Sequence, residues 1–184
     1  MSQPRDPVTL LARAYALAAD RHAGQRRNCA KDEPYLNHLV EVAHLLAYAT
    51  DGADPVLVAG GVLHDALEDT ETTEDELRRL FGDEVAALVA EVTDPPGLGE
   101  EARRRRQVDH APALSARARL LKIADKTSNI RERIAHPPTD LPAAQVRAYI
   151  EWGAAVVAGC RGLNERLDAA FDEALALARN RFGA

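Results

Sequence analysis

The sequence predicts an all-α fold, and three observations carry that expectation. Alanine and leucine dominate a composition that is 46% hydrophobic but only 4% aromatic, a balance that favours helices over β-branched, aromatic-rich sheet. Apolar residues recur at three- and four-residue spacing, as in Leu10, Leu11, Ala14, Leu17 and Ala18, which is the periodicity of one helix face. Helix-start signals frame these runs: Asp6-Pro7 and Asp54-Pro55 each offer an N-cap followed by proline at the first helical position. At 184 residues the chain is long enough for one substantial core and short for two, so residues 1–184 are expected to form a single domain.

Taken in order, the first helix runs from Pro7 to about His22. The stretch Ala23 to Glu33 has no periodicity and carries Arg26, Arg27 and Lys31, cations that suit phosphate oxygens or simply a solvated loop. A second helix, about Pro34 to Tyr48, buries Leu39, Val42, Ala43 and Leu46 and sets His38 among them. The third starts at Asp54-Pro55 and is expected to continue through Val62 into the acidic stretch that follows. Its Gly60-Gly61 pair costs about 1 kcal/mol per glycine relative to alanine, which close packing against another helix would offset. Thr73 to Glu76 matches a capping box, predicting a short helix to Phe81 with Gly82 as its stop and Asp83 as the next cap. Val85, Leu88, Val89 and Val92 make the next apolar face, closed by the Pro- and Gly-rich loop Thr93 to Gly99. Arg103 to Arg106 follow Glu100-Glu101 and read as a solvated helix face, since no aromatic residue is interleaved. Ser115 caps a helix reaching Ile134, and Pro142 opens a C-terminal segment that Gly153, Gly159 and Gly162 are expected to divide. Trp152 and Cys160 are read as core.

A net charge of −6 gives no broad footprint for nucleic acid, so an anionic ligand must be held by local cations or by a metal. Cys29 and Cys160 are too few for a disulfide framework and form no CxxC pair. The N-terminus lacks the apolar core of a signal peptide, and no run of eighteen apolar residues occurs. The expectation is a soluble cytoplasmic protein with neither nucleic-acid nor membrane partners. The sequence specifies no oligomeric state.

The chemistry concentrates in Gly60-Gly61-Val62-Leu63-His64-Asp65-Ala66-Leu67-Glu68-Asp69-Thr70. In a helix Glu68 follows His64 by four positions and Asp69 follows Asp65 by four, so the groups share neighbouring faces. The interleaved Val62, Leu63, Ala66 and Leu67 suggest that the acids line a cleft in an apolar body. His38, His64, Asp65 and Asp125 lie on three separate predicted helices. Two imidazoles with two carboxylates suit a divalent transition ion, leaving positions open for water and substrate. Such an ion would lower the pKa of its bound water and polarise a phosphoryl oxygen, while Glu68 and Asp69 orient or deprotonate the attacking water. Standing alone, His38 reads as a satisfied core histidine.

Four segments carry a resemblance: His22 to Arg27, Pro34-Tyr35-Leu36-Asn37-His38, Leu63 to Thr70, and Lys122-Ile123-Ala124-Asp125-Lys126-Thr127-Ser128-Asn129. In this order, with the Tyr149 to Asn164 segment, they resemble the HD-domain hydrolases, within them the hydrolase domain of the RelA/SpoT alarmone enzymes, and in particular the stand-alone small alarmone hydrolases. The resemblance implies an HD-domain helical bundle and one Mn2+ ion held by His38, His64, Asp65 and Asp125. It implies removal of pyrophosphate from the ribose 3′ position of ppGpp or pppGpp, leaving GDP or GTP, with Glu68 and Asp69 as the water-activating pair. Arg27, Asn129 and Tyr149 are the implied nucleotide contacts. Arg27 can stack on a base or fork to phosphate, Asn129 follows Asp125 by one turn, and Tyr149 offers a ring and a hydroxyl to a pocket or to the core. His22 reads either as a support to the site or as helix-end packing, and His44, His110 and His136 take no role.

The sequence departs from the family pattern at Asn28, where a lysine is common, and at Leu39, where a proline is. Lys31, Lys126 or one of Arg103 to Arg106 is expected to restore the charge missing at Asn28. Leu141 and Gln145 stand where some small hydrolases carry Trp and Arg, which opens the substrate range to adenosine alarmones (ppApp, pppApp). Two other readings stand beside this one: an HD phosphohydrolase of another nucleotide, such as an NADPH 2′-phosphatase, and a nucleotide-binding regulator without turnover. The remaining residues are too few for a synthetase or regulatory domain.

Overall fold

The computed structural model describes residues 6–27, 32–138 and 141–183. Asn28, Cys29 and Lys31 lie outside the described residues. Among the described residues all regular structure is helical, and no helix is long and apolar enough to cross a membrane. Internal contacts divide the chain into two compact units, Met1–Gln25 with Pro34–Gly97, and Arg26–Glu33 with Leu98–Ala184.

The first unit contains α1 (Pro7–Arg21), α2 (Leu36–Ala49), α3 (Pro55–Leu63), α4 (Ala66–Asp69), α5 (Glu74–Phe81) and α6 (Asp83–Val92). Both Asp-Pro signals act as read: Asp6 accepts from the Thr9 N–H at 2.9 Å, and Asp54 from the Leu57 N–H at 3.0 Å. Thr73 caps α5 through the Glu76 N–H. The α3 sequence carries no charge, and every residue from Leu57 to Leu63 is buried. A helix apolar all round belongs in a core, and α3 packs on α1, α2 and α6. Gly61 is what lets α2 approach, because a Cβ there would lie 2.6 Å from Leu46 Cδ1 and 3.4 Å from Val42 Cγ1.

Two sequence expectations fail in this unit. The third helix does not run into the acidic stretch: it ends at Leu63, His64 and Asp65 form a turn, and α4 restarts at Ala66. The His64 imidazole takes the Gly61 carbonyl at 2.8 Å, an acceptor that an unbroken helix would offer to the Asp65 N–H. Asp65 sits at φ −96°, ψ 0°, the sparsely populated bridge region. Nor does Asp83 cap the next helix. Gly82, at φ +93°, ends α5 and precedes α6, which begins at Asp83 itself, a backbone conformation that glycine adopts at no steric cost.

The second unit contains α7 (Glu100–His110), a 3-10 turn (Ala111–Ala113), α8 (Ala116–Ala135), α9 (Ala143–Ala158) and α10 (Glu165–Phe182). Helix α8 packs on α9 and α10, and α7 on α9. Ser115 caps α8 through the Ala118 N–H. Helix α7 buries no residue, and Arg105 pairs with Glu101 on an exposed face, as a solvated face should, but Arg104, paired with Glu100, is half-buried against the Tyr149 and Trp152 rings. Gly159 and Gly162 separate α9 from α10, but Gly153 does not divide the segment; it lies inside α9. Cys160 is core, and burial pushes its thiol up to about 11. Trp152 is not core: it is half-buried beside a cavity.

The two helical glycines respond oppositely to alanine. At Gly153 a Cβ meets only Ile130 Cδ1 at 3.7 Å, so Gly153→Ala is expected to stabilise by about 1 kcal/mol through helix propensity. At Gly61 the same gain is outweighed by overpacking against the fully buried Leu46, at roughly 1–3 kcal/mol. Chemical denaturation of metal-free protein should therefore move the midpoint up for the first variant and down for the second.

Candidate active site

Three of the implied ion ligands converge in the first unit. His38 lies in the first turn of α2, while His64 and Asp65 occupy the turn between α3 and α4. One donor atom from each lies within 4.8 Å of the others. Asp65 Oδ2 is 3.0 Å from His64 Nε2 and 3.7 Å from His38 Nε2, and the two rings are 5.2 Å apart, inclined at 67°. Both histidines are buried and Asp65 is half-buried.

The residues fit a divalent ion, and the hydrogen bonding shows why. A carbonyl only accepts, so His64 must carry its proton on Nδ1 to reach the Gly61 oxygen, which leaves the Nε2 lone pair directed at Asp65 Oδ2. Two imidazole nitrogens and one carboxylate oxygen suit a divalent transition ion. Tyr35 orients the carboxylate: its hydroxyl donates to Asp65 Oδ2 at 2.6 Å. The Tyr35 ring stacks on His22 at 5.4 Å and meets His38 edge-on at 5.6 Å.

Glu68 and Asp69 lie on α4, both exposed. Glu68 Oε1 accepts from the Asp94 N–H at 2.7 Å, fixing its carboxylate. Asp69 is fixed through its main chain, whose carbonyl accepts from Gln25 Nε2 at 2.6 Å. With that amide nitrogen committed, Gln25 Oε1 faces His22 Nδ1 at 2.6 Å, so His22 must donate there. His22 is 2% exposed and supports Gln25 and Tyr35 together. Sequence reasoning passed over Tyr35 and Gln25. The available signal was their place inside the quoted His22 to Arg27 and Pro34 to His38 segments, each within three residues of a histidine.

The second unit holds Asp125, Asn129, Arg27 and Tyr149. Asn129 Nδ2 donates to Asp125 Oδ1 at 2.6 Å, and Lys126 Nζ pairs with Asp125 Oδ2 at 2.9 Å. Arg27 donates to Asn129 Oδ1 at 3.2 Å and forms an ion pair with Glu132, a residue no sequence signal had marked. Tyr149 lines a cavity of about 820 Å³ with Arg104, Arg133, Trp152, Leu141 and Gln145. The Arg133 guanidinium lies 3.8 Å from the centre of the Tyr149 ring, and Arg104 lies 5.4 Å from that of Trp152. Trp152 Nε1 donates to the Arg104 carbonyl. These are cation–π contacts on ring faces. Of the cations expected to make up for Asn28, Lys126 is held by Asp125 and by the Trp152 ring at 4.3 Å, whereas Arg103 and Arg104 line the cavity.

An HD domain model matches residues 14–149. The guanosine-3′,5′-bis(diphosphate) 3′-pyrophosphohydrolase MESH1 of Mus musculus is 40% identical over 163 residues, covering 89% of this chain and 91% of the relative. The Homo sapiens protein of that name is 41% identical over 160 residues, covering 87% and 89%. A solved structure described as a metazoan ortholog of SpoT that hydrolyzes ppGpp and plays a role in starvation responses superposes with a TM-score of 0.87. It is 32% identical, with 98% of each chain covered.

Removing the Tyr35 hydroxyl should loosen Asp65 without disturbing the ring contacts. Tyr35→Phe is expected to weaken binding of a divalent ion about 10-fold, measured as a cobalt(II) titration followed by absorption, with an unchanged unfolding midpoint in chelator. Gln25→Glu, which sets a carboxylate against the Asp69 carbonyl, should leave that titration unaltered.

Proposed function

The chain belongs to the HD-domain family, and within it to the group of the MESH1 proteins, and from that premise we propose that it hydrolyses the 3′-pyrophosphate of ppGpp or pppGpp to pyrophosphate and GDP or GTP. The observation that carries this reading is the His38, His64 and Asp65 cluster, followed one turn later by the exposed carboxylates of Glu68 and Asp69. In this reading the ion is Mn2+, which when bound polarises a phosphoryl oxygen and acidifies water. Asp125 is its fourth ligand, an assignment that rests on the motif Lys122 to Asn129. Glu68 and Asp69 orient the attacking water and accept its proton, with Glu68 held by the Asp94 N–H. Tyr149 is the nucleotide-side residue, with Arg27 and Asn129 committed to Glu132 and Asp125 rather than free to turn to the ligand.

Leu141 and Gln145 line the cavity that Tyr149 shares, and their neutral side chains favour extending the substrate class to ppApp and pppApp. The same proposal treats residues 1–184 as one functional domain, which the family match over 14–149 supports because it includes segments of both units. It places the protein in the cytoplasm.

The test is a panel of ppGpp, pppGpp, ppApp and NADPH, with Mn2+ supplied or chelated, analysed for released pyrophosphate and orthophosphate. Pyrophosphate from the alarmones, abolished by chelation and restored by Mn2+, is the expected result. Glu68→Ala should lower kcat by about 10²–10⁴-fold while nucleotide still binds. Orthophosphate from NADPH with inert alarmones would replace this function with a phosphatase, and nucleotide binding without any turnover would replace it with a regulator.

A further inference from the structure

Arg27 is buried, with its side chain 5% exposed, and it faces Glu132, whose side chain is 12% exposed. Asp125, Asn129 and Glu132 stand at i, i+4 and i+7 on α8, so one helix face presents them in a row. The amide of Asn129 lies between a group that only donates and a group that only accepts, which fixes both its ends. Oδ1 takes the Arg27 Nη2 proton at 3.2 Å, and Nδ2 gives its proton to Asp125 Oδ1 at 2.6 Å. The order along the row is therefore Glu132, Arg27, Asn129, Asp125, and Asp125 is held at both oxygens, Oδ1 by Asn129 at the end of the row and Oδ2 by Lys126 Nζ at 2.9 Å.

We propose that Glu132 and Arg27 form a strut that fixes the Asn129 amide and through it the Asp125 carboxylate, making Arg27 a positioning residue rather than a group taken up by substrate phosphate. The inference rests on the assignment of Asp125 as an ion ligand. Its physical basis is the burial of the pair. A phosphate that captured Arg27 would strand the Glu132 carboxylate without its counter-charge in a nearly dry site, a costly exchange, and would release Asn129 from its orientation. Arginine is required because the strut uses two nitrogens in a fixed fork, Nε to Glu132 and Nη2 to Asn129, which a lysine ammonium does not reproduce.

The experiment titrates Mn2+ into the nucleotide-free full chain by calorimetry and measures kcat and KM for ppGpp, in wild type, Glu132→Gln, Arg27→Lys and the double variant. The strut predicts that each single variant weakens Mn2+ binding about 10-fold, with kcat lowered and KM within about twofold of wild type. The double variant should lose no more than the worse single one, because both changes break the same chain. Wild-type Mn2+ affinity in Glu132→Gln, or a raised KM with unchanged Mn2+ affinity in Arg27→Lys, overturns the strut. Unfolding midpoints in chelator report folding. Should Glu132→Gln fail to fold, Asn129→Leu leaves the Arg27–Glu132 pair intact and must show the same loss of Mn2+ affinity. A wild type that binds Mn2+ but does not turn over ppGpp overturns the substrate reading alone, while one that binds no Mn2+ overturns the ligand assignment itself.

Discussion

The approach of α3 to α2 at Gly61 is the contact on which the ion-binding geometry of the first unit depends. His38 stands one turn before Val42 on α2, and His64 stands three residues after Gly61. Their rings come within 5.2 Å because the intervening helices meet at a residue with no side chain, against Leu46 and Val42. The same glycine supplies the carbonyl that receives the His64 Nδ1 proton. A single residue thus sets the spacing of two donors and the tautomer of one of them. A glycine inside a helix costs stability, and here the wholly apolar surround of α3 makes that cost bearable.

Hydrogen-bond polarity then propagates the order outward. The Asp69 carbonyl can only accept, so Gln25 turns its nitrogen toward it, and His22 must donate to the oxygen that remains. The Tyr35 hydroxyl points its proton at Asp65, and its ring is held between His22 and His38. In the second unit Asn129 is fixed in the same way between Arg27 and Asp125. Candidate-site side chains in both units are oriented by neighbours that have one chemically permitted arrangement each, which is how such geometry is kept without rigid covalent support.

Much of the fold was legible because its signals are local. Asp6, Asp54, Thr73 and Ser115 cap the helices they announce, since a cap needs only the three residues that follow it. The break at His64-Asp65 was not legible: the apolar pattern continues straight through it, and competition between an imidazole and the backbone for one carbonyl leaves no trace in spacing. Trp152 was misread for a related reason. Its size argues for the core, but its N–H reaches the Arg104 carbonyl and its ring face receives Lys126 and Arg104, so it belongs at a polar boundary. Glu132 carries no local signal. Its meaning lies in a partner about a hundred positions away in the chain, a relation that only folding discloses.

A net charge of −6 opposes a polyanionic nucleotide at long range, and the arrangement of charge resolves this. At physiological ionic strength fields decay over about 8 Å, so a ligand senses the groups lining its own site and little of the total. In the first unit two imidazoles and one carboxylate surround the place for a doubly charged cation, which would supply positive charge at that point when bound. In the second, Arg103, Arg104 and Arg133 line the cavity together with Glu100 and Glu101, and Arg104 and Arg133 turn guanidinium faces to Tyr149 and Trp152. Net charge therefore constrains which long-range partners the protein attracts, and the local sites constrain what it holds.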